Sequence, residues 1–398
     1  MILLERELSS LAKIGDGAHA SLKRINKGIP YLTAKNISKS GIDYKNINYI
    51  SEETYNKYFK DTSNALTQPK KDDILYSIIG SIGAVYVVRD EKIGISSSVA
   101  ILRADKSKIL PEYLAYYMNG PVFDTNIQAV RGGVAQGFMS LAKLGSIIIK
   151  YPKDITYQKK IVDILSTYDN LIENNQKQIK LLEEAAQRLY KEWFIDLRFP
   201  GHENVEIVDG IPEGWSKVSM DQIAEYINGY AFKPSDWSEF GKPIIKIKEL
   251  NEGITKSTPR NDGSFIPDKY NISVGDIIFS WSATLTAKIW DAEEGLLNQH
   301  LFKVIPQKGI SREYVLQSIL NTLEWFRNLT TGSTMKHIQR GKLKEVFVCL
   351  PSNNIMNLYV KIAEPYRERL LKLNQQNIYL TEARDRLLPK LMSGEIEV

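Results

Sequence analysis

Covalent and metal chemistry needs side chains that this sequence supplies sparingly. The 398-residue chain holds four histidines, His19, His202, His300 and His337, and one cysteine, Cys349. Their spacing assembles no zinc ligand set. There is no Gly-Lys-Ser or Gly-Lys-Thr phosphate loop and no Asn-Pro-Pro motif followed by Tyr or Phe, and Gly15-Asp-Gly17 falls short of a nucleotide fingerprint. Asp73 with Asp90-Glu91-Lys92 could begin a metal-dependent nuclease. However, the acid and the lysine are adjacent there, and sharing a strand face requires alternate residues. Cys349 lies in the apolar run from Glu345 to Leu350 and reads as a buried, inert thiol. What remains is recognition by hydrogen bonds and charge. A net charge of +5 with 43% apolar and 25% charged residues describes a folded, mildly basic protein. Nucleic acid suits such a balance without being required by it. Glu5 and Arg6 interrupt any signal peptide and no apolar run is long enough to span a bilayer, so a cytoplasmic location and no membrane contact are expected.

The elements that would position recognition groups occur twice. Asp73-Ile-Leu-Tyr-Ser77 returns as Asp276-Ile-Ile-Phe-Ser280, each read as a buried strand entered from a polar turn. In the same order, Gly28-Ile-Pro30 matches Gly241-Lys-Pro243, Pro111-Glu-Tyr-Leu114 matches Arg312-Glu-Tyr-Val315, and Arg131-Gly-Gly133 matches Thr331-Gly-Ser333. The offset drifts from 213 to 200 along the chain, as loop insertions would make it drift. Each copy then runs through an apolar strand into proline and a helix. The pattern predicts an α+β protein with a pseudo-twofold repeat: two similar mixed α/β domains, 1–155 and 201–352, separated by an antiparallel two-helix coiled coil from 156–200 and 353–398.

In the first helix Ile172, Asn175, Ile179, Leu182, Ala186, Leu189 and Trp193 fall at alternating steps of three and four, a coiled-coil seam with Asn175 as its polar member. The second carries Leu370, Leu373, Asn377, Leu380, Arg384, Leu387 and Leu391, with Arg384 weakening the row. Pro365 and Pro389 are expected to bound its ordered part at about 366 to 388. A helix of 24 to 28 residues spans roughly 36 to 42 Å, on the order of one turn of B-DNA, which suits a split target.

Asp276 to Leu285, Leu297 to Val304 and Gly332 to Ile338, with weaker counterparts at 73–83, 94–100 and 132–138, resemble the target recognition domains of type I restriction-modification specificity subunits. Gln158 to Leu165 followed by Asp169 to Glu173 resembles that family's helical region. The second copy departs from it, with Asn357 where Gln158 would match, and Ala283 replaces the glycine usual after Trp-Ser. The resemblance implies a non-catalytic subunit that reads a bipartite double-stranded DNA target. It further implies two methyltransferase (modification) subunits bearing S-adenosylmethionine, restriction subunits using ATP, and no cofactor in this chain.

Base edges are distinguished by Arg, Lys, Asn and Gln, and phosphates are held by cations and hydroxyls. On loops beside the repeated strands, the candidates are Lys35, Asn36, Ser77, Arg131 and Gln136 in the first domain. In the second they are Tyr230, Lys233, Lys248, Trp281, Ser282, Gln299, His300, Lys336 and His337. Gly132, Gly133 and Gly332 would let the backbone approach the duplex. Two rival readings stand beside this one: a protein-binding scaffold with a helical clamp, and a stand-alone nuclease or methyltransferase.

Overall fold

The strands Ile74–Ser77 and Ile277–Ser280 are buried at every position. Continuous burial requires partners on both edges, and each strand has them. In the computed structural model, Ile74–Ser77 pairs with Val85–Val87 on one side and Val99–Ala104 on the other, and Ala12–Asp16 completes an antiparallel sheet of four. Ile277–Ser280 is flanked in the same way by Thr286–Ile289 and Leu301–Pro306, with Ala224–Asn228 outermost. The structure describes the chain except residues 1, 39–40, 45, 63–64, 81, 132–136, 283 and 330–339; the side chains of 131, 327–329 and 340 are likewise left aside.

The aspartate opening each central strand is tied down by the amide three residues earlier and by a cation from the neighbouring strand. Asp73 accepts the Lys70 amide at 2.8 Å and Arg103 at 2.7 Å. Asp276 accepts the Ser273 amide at 2.8 Å and Lys303 at 2.8 Å. A smaller sheet follows in each copy. Ile29–Leu32 runs parallel to Gly94–Ile95 and antiparallel to Asn48–Ile50. Lys242–Ile245 runs parallel to Gly295–Leu297 and antiparallel to Arg260–Asn261, with Asn271–Ile272 added. A two-stranded ladder closes each copy, Leu3–Glu7 with Ile148–Pro152 and Ser216–Ser219 with Phe347–Leu350.

The chain divides into two compact units, residues 1–171 with 380–398, and residues 172–379. Each has its own apolar interior. In the first, Leu388, Leu391 and Met392 of the second long helix join Tyr76, Leu114 and Leu165. In the second, Tyr190, Trp193 and Phe194 pack with Tyr314 and Tyr359, the Phe194 and Tyr359 rings meeting edge to face at 4.9 Å.

Two long helices, Ile155–Tyr190 and Asn353–Ser393, contribute to both units. Within the second unit they run antiparallel: Asn175 donates to Asn377 at 3.0 Å and Arg369 to Gln178 at 3.1 Å. Asn175 and Leu373 are buried, and Ile172, Ile179, Leu182, Leu189 and Asn377 are half-buried. Within the first unit, where Leu380 and Leu387 are half-buried, Arg384 donates to Asp169 at 2.6 Å, and the Tyr116 hydroxyl donates to the same carboxylate. Burial and that hydrogen bond push the Tyr116 hydroxyl pKa well up. Arg384 is therefore neutralised where the sequence suggested a weak point.

Two expectations are corrected here. The second helix is continuous from 353 to 393 and passes through both prolines. Pro365 is exposed, so water can satisfy the carbonyl its ring leaves unbonded, while buried Tyr359, Ala363 and Leu373 hold the turns on either side. Pro389 stands just before Leu391 and Met392, whose burial carries the helix onward. The counterpart of Gln158 is Met356 rather than Asn357. Each is the fourth helical residue, its amide bonded to the residue before the helix, Asp154 or Ser352. Gln158 caps Leu110 and two carbonyls through its amide, whereas Met356 fills that position with packing.

Candidate nucleic-acid interface

In the second unit a tight turn, residues 298–300, joins Gly295–Leu297 to Leu301–Pro306. It is latched to the neighbouring loop: Tyr230 donates to the Leu297 carbonyl at 2.8 Å, and the Gln299 amide donates to the Tyr230 carbonyl at 2.9 Å. The approach is so close that a Cβ on Gly229 would stand 2.1 Å from the Asn298 carbonyl oxygen. The latch presents an exposed Gln299 and a half-buried His300 beside Trp281. The Trp281 ring lies tilted at 6.1 Å from His300 and 5.7 Å from Phe302. The Gln299 and His300 Nε2 atoms are 3.4 Å apart, and the Ser282 hydroxyl is 3.5 Å from His300 Nδ1. Asn228, Gly229 and Ala231 complete an open cleft of about 590 Å³. Tyr230 is braced by Phe232 at 4.9 Å and Tyr270 at 5.5 Å, while Lys233 and Lys248 are exposed nearby in sequence.

The first unit builds the same latch from other side chains. Ala18 donates to Ile95 at 2.9 Å, Ser97 donates to Ala18 at 3.2 Å, and a Cβ on Gly17 would again stand 2.1 Å from a carbonyl oxygen, that of Ile95. Here the turn is Ser96-Ser97-Ser98, with Ser96 and Ser98 hydroxyls 2.6 Å apart, and His19 stands 2.8 Å from Asp16 at its rim. Hydrogen-bonding tips on a fixed frame can read base edges. Among the described residues no group of three or more His, Cys, Asp or Glu could hold an ion. The Cys349 thiol is half-buried, and burial pushes its pKa up, which keeps it protonated.

Of the residues singled out from sequence, Tyr230, Trp281, Ser282, Gln299 and His300 come together. Lys35 is exposed on the turn after Ile29–Leu32, equivalent to Lys248. Three choices are corrected. Asn36, 4% exposed, spends its side chain on Thr33 and Asn46. Ser77, fully buried, accepts the Ala84 amide at 2.8 Å. Ser282, 4% exposed, faces His300 rather than solvent. Arg131 ends the helix Pro121–Arg131, and its side chain, like Gly132, Gly133, Gln136, Gly332, Lys336 and His337, lies outside the described residues. Sequence reading missed the loops before the smaller sheets. Arg24 stacks over Tyr31 at 4.0 Å in one, and Trp237 lies under Lys246 at 4.7 Å in the other. The offset of 213 that relates Gly28 to Gly241 also relates Arg24 to Trp237 and could have found them.

The profile of the type I restriction modification DNA specificity domain matches residues 5–184 and again 212–380. The chain belongs to that family. Its similarity extends to the MjaIX specificity subunit of Methanocaldococcus jannaschii, 26% identical over 318 residues, covering 74% of this chain and 71% of the relative. The HindI specificity subunit of Haemophilus influenzae is 24% identical over 402 residues, covering 82% of this chain and 87% of that one. Among solved structures, the type I system S subunit from M. genitalium shares the fold, with a TM-score of 0.58 at 16% identity over 98% of this chain and 96% of that chain. The mixed α/β, twice-repeated architecture expected from sequence is thus the architecture of this specificity family. Among the described residues, no helix is long and apolar enough to cross a membrane.

Proposed function

We propose that the chain supplies the DNA address of a type I restriction-modification complex, each unit reading one half of a bipartite duplex target, with no catalysis of its own. The observation that carries this reading is the latched turn, built twice on one backbone plan and tipped with different side chains: Gln299 and His300 in one unit, serines 96 to 98 in the other. A frame held constant while its hydrogen-bonding groups change is what reading two unlike half-sites demands. The partners are two modification subunits, which would bring S-adenosylmethionine and methylate adenine, and restriction subunits, which would bring ATP-dependent cleavage. The paired helices supply a mount for them.

Exchanging residues 1–155 for those of a relative, in a complex with its modification subunits, should change only one half of the methylated motif recovered by modified-base sequencing. Change in both halves, or none, would sink the modular reading. Turnover of labelled S-adenosylmethionine by the purified chain alone would instead favour an enzyme.

A further inference from the structure

In the first unit the loop between Ala12–Asp16 and Ile29–Leu32 exposes Lys23, Arg24 and Lys27. None of the three makes an ion pair among the described residues, whereas Lys70, Lys71, Lys92, Arg103, Lys106 and Lys108 of the same unit are each answered by Asp or Glu. Three uncompensated cations within five residues repel one another, and a polyanion relieves that cost.

The loop is also held ready. Leu22 is buried in the core, and the Ile25 amide donates to the Tyr49 carbonyl at 2.9 Å. The Arg24 guanidinium lies 4.0 Å over the Tyr31 ring and donates one N–H to the Leu22 carbonyl at 3.2 Å. Tyr31 is 2% exposed, so this platform is fixed, and the remaining guanidinium donors stay available for bidentate phosphate contact.

The copy of this loop in the second unit is anchored in the same way, the Ser238 amide donating to Arg260 at 2.8 Å. There, however, Asp236, Trp237 and Phe240 stand at the positions of Lys23, Arg24 and Lys27. We infer that the Lys23 to Lys27 loop is a phosphate clamp that grips the duplex backbone beside the first half-site, and that its copy in the second unit is not. The inference rests on the proposed DNA-reading function.

The test uses the full chain with its modification subunits, a bipartite target duplex and fluorescence anisotropy between about 50 and 200 mM salt. Replacing Lys23, Arg24 and Lys27 together by Gln should flatten the slope of log affinity against log salt by about 2 to 3, at roughly 0.9 per phosphate contact, while the recognised sequence stays the same. Trp237→Gln with Phe240→Gln should leave the slope where it was. A triple variant with the wild-type slope overturns the clamp, and so does an equal flattening in the double variant. Independently of variant folding, Lys23 and Lys27 in the wild-type complex should lose reactivity toward an amine-acylating reagent when duplex is added, and ion-paired Lys71 should not. Unchanged reactivity of Lys23 and Lys27 also overturns it. Wild-type complex that binds all duplex sequences equally would instead defeat the specificity reading while leaving a salt-dependent clamp in place.

Discussion

The two units share a backbone and differ at its tips. Gly17 and Gly229 each sit 2.1 Å, at the Cβ position, from a carbonyl oxygen at the latched turn, the same pair of amides latches that turn, and the same aspartate opens the central strand. Against that constancy, serines in the first unit take the places of Gln299 and His300 in the second, and Arg24 takes the place of Trp237. Glu112, exposed in the first unit, corresponds to Glu313, which is buried in the second. Backbone hydrogen bonds and glycine fix where a tip stands; what stands there can then vary without disturbing the fold.

The largest effect should come from removing the shared latch. Gly17→Ala and Gly229→Ala each place a methyl 2.1 Å from a carbonyl oxygen and should destabilise their own unit by about 3 kcal/mol in urea unfolding. Loss in only one would show that the two latches are not equivalent. Next comes the tip. Gln299→Ser with His300→Ser, which gives two of the three turn positions the serines of the first unit, should cost about 2 kcal/mol of binding to the cognate duplex and alter one half of the methylated motif, with little change in stability. An unaltered motif would take the turn out of base reading.

Asn175 and Asn377 share one bond between the helices. Asn175→Leu alone strands a partly buried amide and should cost roughly 1 to 2 kcal/mol, and adding Asn377→Leu should recover most of it. A double variant as weak as the single would mean the pair does more than satisfy itself. The smallest effect concerns pH. Burial raises the Glu313 pKa, so at pH values between the unfolded and folded pKa the folded second unit keeps a proton that the unfolded chain releases. Stability of that unit should therefore fall as pH rises through the interval between the unfolded and folded values. Glu313→Gln should remove that slope and raise the melting temperature slightly at neutral pH. An unaltered slope would remove Glu313 as its source.

Much of this was legible from residue patterns. Apolar runs opened by Asp73 and Asp276 located both central strands, and the alternating seam located the helices, because burial leaves a periodic trace. Side-chain direction leaves none. Asn36 and Ser77 are the right residue types for DNA contact, yet short-range turns fold both inward onto backbone groups. Proline as a helix breaker failed at Pro365 and Pro389 because packing on either side outweighed one lost bond. The Lys23 to Lys27 loop went unread although the offset of 213 aligns it with Trp237; its lack of ion-pair partners shows only on the folded surface.

Leu388, Leu391 and Met392 close the core of the first unit, yet the ribosome makes them roughly two hundred residues after Leu165, on the order of ten seconds or more at ordinary elongation speeds. Until they arrive, the nascent first unit must wait with an apolar cleft open to solvent, where chaperones and stray chains can reach it. Slow codons between those for Leu165 and Leu388 should accordingly lower the yield of assembled protein more than slow codons ahead of them.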